Sequence, residues 1–134
     1  MPSLFTRIVQ GEIPCYKVAE NDSFLAFLDI NPLMKGHTLC IPKMEIDYLF
    51  DLSDDLIQEM IIFSKQVALG LQTVVQCNRI GVTVIGLEVP HAHVHLIPIN
   101  AIGDLSFAKE PLNFSQEEFA DLARRIHQRY LSKA

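Results

Sequence analysis

The stretch His91-Ala92-His93-Val94-His95-Leu96-Ile97-Pro98 alternates imidazoles with small or apolar side chains and holds three of the chain's five histidines. Alternation at period two predicts a β-strand. Residues i, i+2 and i+4 of a strand point to one face, so the three imidazoles are expected on one side. Ala92, Val94 and Leu96 then face a core. Same-face side chains are expected roughly 6–7 Å apart, from the rise of a strand. Such a strand, apolar on one side only, belongs in a sheet with one face covered.

The rest of the chain supplies that sheet and its cover. Leu4, Phe5, Ile8 and Val9 recur at helical spacing, and Gly11 and Pro14 end the helix they predict over residues 4–10. Residues 16–20 and 24–29 read as two strands of a hairpin about Asn21-Asp22. Residues 30–36 form a loop, and residues 37–41 a third strand closed by Pro42. Ser53 is an N-cap followed by Asp54 and Asp55, whose charges suit the first turn. Leu56, Met60, Phe63, Val67, Leu71 and Val74 then mark a helix of about six turns with a broad apolar face. Residues 81–85 predict a fourth strand, and residues 102–111 are irregular. Ser115 and Glu118 form a capping box for a last helix through Phe119, Leu122, Ile126 and Leu131. The fold class expected is α+β: an antiparallel sheet of about five strands with helices on one side, one domain over residues 1–134.

Composition narrows the function classes. Net charge of −5 argues against a general nucleic-acid coat, though a mononucleotide needs only a local anion site. There is no apolar run of about 18 residues, so no membrane span is expected. Met1 to Arg7 lacks the pattern of a signal peptide, and Cys15, Cys40 and Cys77 are odd in number and widely spaced. A cytoplasmic protein with reduced thiols is expected.

The histidine stretch admits three chemistries. Imidazoles at alternate positions can share a tetrahedral zinc, with His37 as a further donor. An imidazole nitrogen can attack phosphorus covalently, if its other nitrogen donates to a fixed acceptor and neighbouring imidazoles hold the phosphoryl oxygens. Or the histidines line a polar face and do nothing.

His91-x-His93-x-His95 followed by Pro98 resembles the active-site motif of the histidine triad (HIT) family of nucleotide-binding hydrolases and transferases. Residues 5–14 (FTRIVQGEIP), 25–32 (LAFLDINP) and 36–43 (GHTLCIPK) resemble the family's opening, second-strand and third-strand segments in order. The resemblance implies a purine nucleoside phosphate bound at the sheet and attack on the α-phosphorus. It further implies a nucleotidyl-histidine intermediate released by water, and a homodimer. His93 matches the nucleophile; His91, His95 and His37 match the histidines that position it or bind phosphate. Asp29 matches the carboxylate for the ribose hydroxyls and Ile30 the contact beside it; Phe5, Ile8, Phe27 and Leu39 match apolar positions around the base. No cofactor and no metal are implied for catalysis.

Three departures stand out. Leu87 and Glu88 occupy positions where the family has an amide and a small hydroxyl that hold phosphate or leaving group. Leu87 cannot donate a hydrogen bond, and a carboxylate at Glu88 would repel phosphate unless it turned away. Asn78 is the nearest candidate for an upstream phosphate-site asparagine, and Ile99 replaces a frequent arginine. Many bacterial members carry a Cys-x-x-Cys and a histidine for a structural zinc; here Ser3, Thr6 and Glu45 stand in those positions. Hydroxyls are poor zinc ligands beside thiolates, so a structural zinc is not expected.

Overall fold

The computed structural model describes residues 1–133. Five strands, β1 (Lys17–Glu20), β2 (Phe24–Leu28), β3 (Thr38–Pro42), β4 (Arg79–Thr83) and β5 (Val94–Ile99), form one antiparallel sheet in the order β1-β2-β3-β5-β4. Three helices accompany it: α1 (Leu4–Val9), α2 (Asp54–Val74) and α3 (Gln116–Lys133). The class is α+β, as the patterning predicts.

Local chemistry sets the element ends. Asn21 Oδ1 accepts the amides of Ser23 and Phe24 at 3.0 and 2.8 Å, closing the β1–β2 turn as an Asx turn. Ser53 Oγ accepts Leu56 N–H at 3.2 Å and starts α2. Ser115 and Glu118 exchange both bonds of a capping box, at 2.9 and 3.1 Å.

The sheet is covered on both faces, which corrects the expectation of helices on one side. Phe24, Ala26 and Leu28 of β2, with Cys40, Val94 and Leu96, pack against Met60, Phe63, Val67 and Leu71 of α2 and Leu122, Ala123 and Ile126 of α3. The alternate residues Leu25, Phe27, Leu39 and Ile41 pack on the other side against Phe5 and Ile8 of α1. Every residue of β2 and β3 is therefore buried, the mark of strands sandwiched between two layers.

Strand ends differ from the sequence reading where the partner decides them. The fourth strand runs over Arg79–Thr83, earlier than residues 81–85. It pairs from Arg79↔Ile99 to Thr83↔His95, and β5 begins only one residue further, at Val94. Val84 and Ile85 are left exposed beyond that partner. Pro42 lies inside β3, opposite Phe24, and does not close the strand before it. Pro98 lies inside β5, beyond the last pair with β3 at Leu96, so no β3 carbonyl needs its missing amide proton. His127 is half-buried in α3 and bonds the Val18 carbonyl through Nδ1 at 2.8 Å.

Candidate active site

The histidine stretch is only half strand. β5 begins at Val94, so His91 and His93 lie on irregular backbone ahead of it, His91 at a bend. The ladder stops here for a local reason. Continued past Cys40↔Val94, the register would set Pro42 opposite Ala92; Pro42 has no amide proton, and its carbonyl bonds His91 Nε2 at 2.7 Å. Ala92 N–H goes instead to Ile46 O at 2.7 Å. The three imidazoles are consequently not equivalent. His93 and His95 line a cavity, with ring centroids 4.9 Å apart, closer than an ideal strand spacing. His91 is fully buried behind them.

Hydrogen bonds to groups of fixed polarity assign a tautomer to each ring. A backbone N–H can only donate, so Leu33 N–H, 3.0 Å from His37 Nδ1, makes that nitrogen the acceptor. The His37 proton then sits on Nε2 and is donated to His95 Nδ1 at 2.9 Å. That leaves His95 with Nε2–H as its outward donor. A carbonyl can only accept, so His91 O, 2.7 Å from His93 Nδ1, places the His93 proton there. Nε2 of His93 keeps its lone pair. Pro42 O likewise puts the His91 proton on Nε2, and His91 Nδ1 accepts from Ser3 Oγ at 2.8 Å.

Burial keeps His37, His91 and His95 neutral. Desolvation, then the nearby His93, lowers the His37 pKa to about 4. Desolvation, then His37 and His93, lowers that of His95 to about 3. Desolvation also lowers that of His91. The 3.6 Å approach of Asp29 Oδ2 to His37 Nε2 is therefore not an ion pair at neutral pH.

The cavity holds about 650 Å³. One wall is apolar: Phe5 and Ile8 of α1 with Phe27 and Leu39 of the sheet. Phe27 and Leu39 are direct cross-strand partners, and Leu39 faces His95 in turn, so the sheet register runs from apolar wall to imidazole. Phe5 packs in T-shaped contacts with the rings of Phe27, His91 and His93, their centroids 5.5, 5.8 and 5.1 Å away. Asp29 and Ile30 follow β2 at the rim. Asp29 Oδ1 accepts Asn31 N–H at 2.8 Å, which fixes the carboxylate and leaves its other oxygen for a ligand. Gly36 sets up His37: its φ is +91°, and a Cβ there would lie 2.9 Å from Leu71 Cδ1.

Of the residues singled out in the sequence, His93, His95, Asp29, Ile30, Phe5, Ile8, Phe27, Leu39 and Glu88 line this cavity. His91 and His37 support it from behind. Asn78 is not brought there: it is exposed at the start of β4 and its side chain bonds Asn100 O at 3.3 Å. Leu87 joins Glu88 on the cavity wall. Sequence reasoning missed Phe107 and Lys109, which come from the segment read only as irregular. Phe107 lies edge-on to His95 at 4.9 Å. Lys109 also faces the cavity, with Nζ 3.4 Å from Asp104 O. No periodic or motif signal marks either residue.

Neither metal reading fits well. His37, His91 and His93 do not converge, because both nitrogens of His91 and Nδ1 of His93 are held by protein groups. Asp29, His37 and His95 do bring donor atoms within 4.8 Å of one another. A cation there would have to displace the proton that His37 and His95 share. At the positions of a structural zinc, Ser3, Thr6 and Glu45 bond one another and His91: Glu45 Oε1 accepts Ser3 N–H and Thr6 Oγ1–H, each at 2.6 Å. Two hydroxyls and a carboxylate already engaged in this way do not suit zinc.

Comparison with known proteins agrees with this geometry. The HIT domain model matches residues 10–101. An uncharacterized HIT-like protein of Borreliella burgdorferi is 34% identical over 131 residues, 92% of this chain and 94% of its own length. The adenosine 5'-monophosphoramidase of Schizosaccharomyces pombe is 40% identical over 102 residues, 73% of this chain and 74% of its own. The crystal structure of a HIT-like protein from Bartonella henselae covers 95% of both chains with a TM-score of 0.82 at 26% identity. Since the family model spans all five strands and all three triad histidines, this chain belongs to the histidine triad family.

Proposed function

We propose that the protein is a nucleotide hydrolase or nucleotidyl transferase. It acts at the α-phosphorus of a purine nucleoside phosphate ester or phosphoramidate, through a nucleotidyl-His93 intermediate. The observation that carries this reading is the pairing of opposite tautomers in one cavity: an unprotonated Nε2 on His93 beside an Nε2–H on His95. A relative named as an adenosine 5'-monophosphoramidase supports the substrate class.

In this reading the base lies against Phe5, Ile8, Phe27 and Leu39, beside Ile30, and the ribose diol bonds the free oxygen of Asp29. His93 Nε2 forms a bond to phosphorus as the bond to the leaving group breaks. The leaving group departs with that electron pair and takes up a proton from solvent. The His93 ring gains positive charge, which the His91 carbonyl at Nδ1 stabilises. His95 Nε2–H bonds a phosphoryl oxygen. Water then attacks phosphorus, loses a proton, and returns the electron pair to His93 Nε2.

The test is His93→Ala, assayed on a panel of purine nucleoside phosphoramidates and phosphate esters. We expect turnover to fall by at least about 10³-fold while AMP binding persists. Unchanged turnover would overturn the mechanism. Acid-quenched wild-type protein should also carry a nucleotidyl adduct on His93 by mass spectrometry. Leu87 and Glu88 on the cavity wall favour a second reading, a nucleotide-binding module with little catalysis. AMP binding without turnover across the panel selects it.

A further inference from the structure

Glu45, Ser3, Thr6 and His91 are joined in one chain of hydrogen bonds. Its members come from three separate places: α1 and its cap, the loop after β3, and the histidine segment. Each proton in it has one best destination. The Thr6 hydroxyl and the Ser3 amide both go to Glu45 Oε1 at 2.6 Å. With its own proton committed, Thr6 Oγ1 sits 3.4 Å from His91 Nδ1, while the Ser3 hydroxyl reaches that nitrogen at 2.8 Å. Ser3 Oγ also accepts Thr6 N–H at 3.0 Å as the cap of α1. His91 is held at its far nitrogen by Pro42 O at 2.7 Å. Its peptide is clamped through Ala92 N–H to Ile46 O at 2.7 Å. The carbonyl of that peptide takes the His93 Nδ1 proton at 2.7 Å. The same helix carries Phe5, whose ring packs T-shaped against both His91 and His93.

We propose that Glu45, Thr6 and Ser3 are positioning residues forming a metal-free hydrogen-bond chain. It fixes the ring and peptide of His91 and so holds His93 with its proton on Nδ1 and its lone pair toward the substrate. The inference rests on His93 being the nucleophile. Glu45 is exposed, so the chain is accessible to substitution without opening the core.

The experiment compares Glu45→Leu, Glu45→Gln, Thr6→Val and Ser3→Ala with the wild type. All are dialysed against a chelator and assayed with an adenosine phosphoramidate. Histidine tautomers are read by imidazole ¹H–¹⁵N NMR. Glu45→Leu, Thr6→Val and Ser3→Ala should each lower kcat about tenfold, with KM within about twofold. In each, the His93 signal should shift from pure Nδ1–H toward a mixture. Glu45→Gln keeps the acceptor oxygen and should restore kcat to within about twofold of wild type. Should Ser3→Ala fail to fold through loss of its cap, the Thr6 and Glu45 variants decide. Wild-type kcat and tautomers in Glu45→Leu and Thr6→Val overturn the proposal. So does equal loss in Glu45→Leu and Glu45→Gln, or wild-type activity that chelation removes and zinc restores. If the wild type turns over no nucleotide, the proposed function fails, and the tautomer shift alone then decides the role of the chain.

Discussion

At the scale of single residues, tautomers carry the functional reading. They are set by backbone groups that no motif records. Replacing His37 with Phe removes the donor to His95 Nδ1, so His95 can turn its proton inward and lose its outward bond. We expect kcat to fall about 10- to 100-fold with the fold retained, measured by steady-state kinetics and circular dichroism. The depressed pKa values of His37 and His95 also predict a pH dependence of stability. Unfolded histidines bind protons below about pH 6.5, while the folded rings resist until about 4 and 3. Stability is therefore fully present above about pH 6.5 and is lost as pH falls toward those folded values. Thermal melts between pH 7 and 5, above most carboxylate titrations, should show Tm falling, with a shallower fall in His37→Phe. At this scale the sequence was informative about residue type. His93, Asp29 and the apolar wall were legible from the motif and its flanks. The separation of His91 from His93 and His95 was not, because it depends on Pro42 ending one ladder and on Ser3 reaching across from another element.

At the scale of elements, helices were legible and strand ends were not. The apolar spacing of Leu56 to Leu71 and the caps at Ser53 and Ser115 are properties of contiguous sequence, and α2 and α3 follow them. β4 and β5 end where their neighbours allow, which local sequence does not contain. The second face of the sheet escaped notice for a related reason. β2 reads Phe24-Leu25-Ala26-Phe27-Leu28, apolar throughout, and such a run does not say which layers cover it. Gly36 links element to site, joining the loop before β3 to His37 at a positive φ in tight contact with α2. Gly36→Ala should destabilise the protein by about 1–3 kcal/mol from backbone strain, in urea unfolding followed by circular dichroism. KM should rise as well, since Leu33 and Asp29 flank the same loop.

At the scale of the whole molecule, two features govern encounters with other molecules. Among the described residues β4 pairs only with β5, and its exposed side carries Val82. An open apolar edge favours pairing with a second copy, so sedimentation should give a dimer, and Val82→Lys should shift it toward monomer. The net charge of −5, with Glu88 on the cavity wall, disfavours anionic leaving groups. Glu88→Gln should raise kcat/KM several-fold, about 3- to 10-fold, for a polyphosphate leaving group, with little change for a neutral amine. The measurement is a pair of substrates in low salt. The bonds from Leu33 through His37 to His95 also impose an order on the reaction cycle. They start at a peptide amide, which keeps its proton at every working pH, so the two rings cannot reverse direction. His95 can lend a bond to an oxygen but has no vacant nitrogen on which to collect a proton. The water that ends the cycle must surrender its proton elsewhere, to bulk solvent. A slow step in that second half would then respond to heavy water.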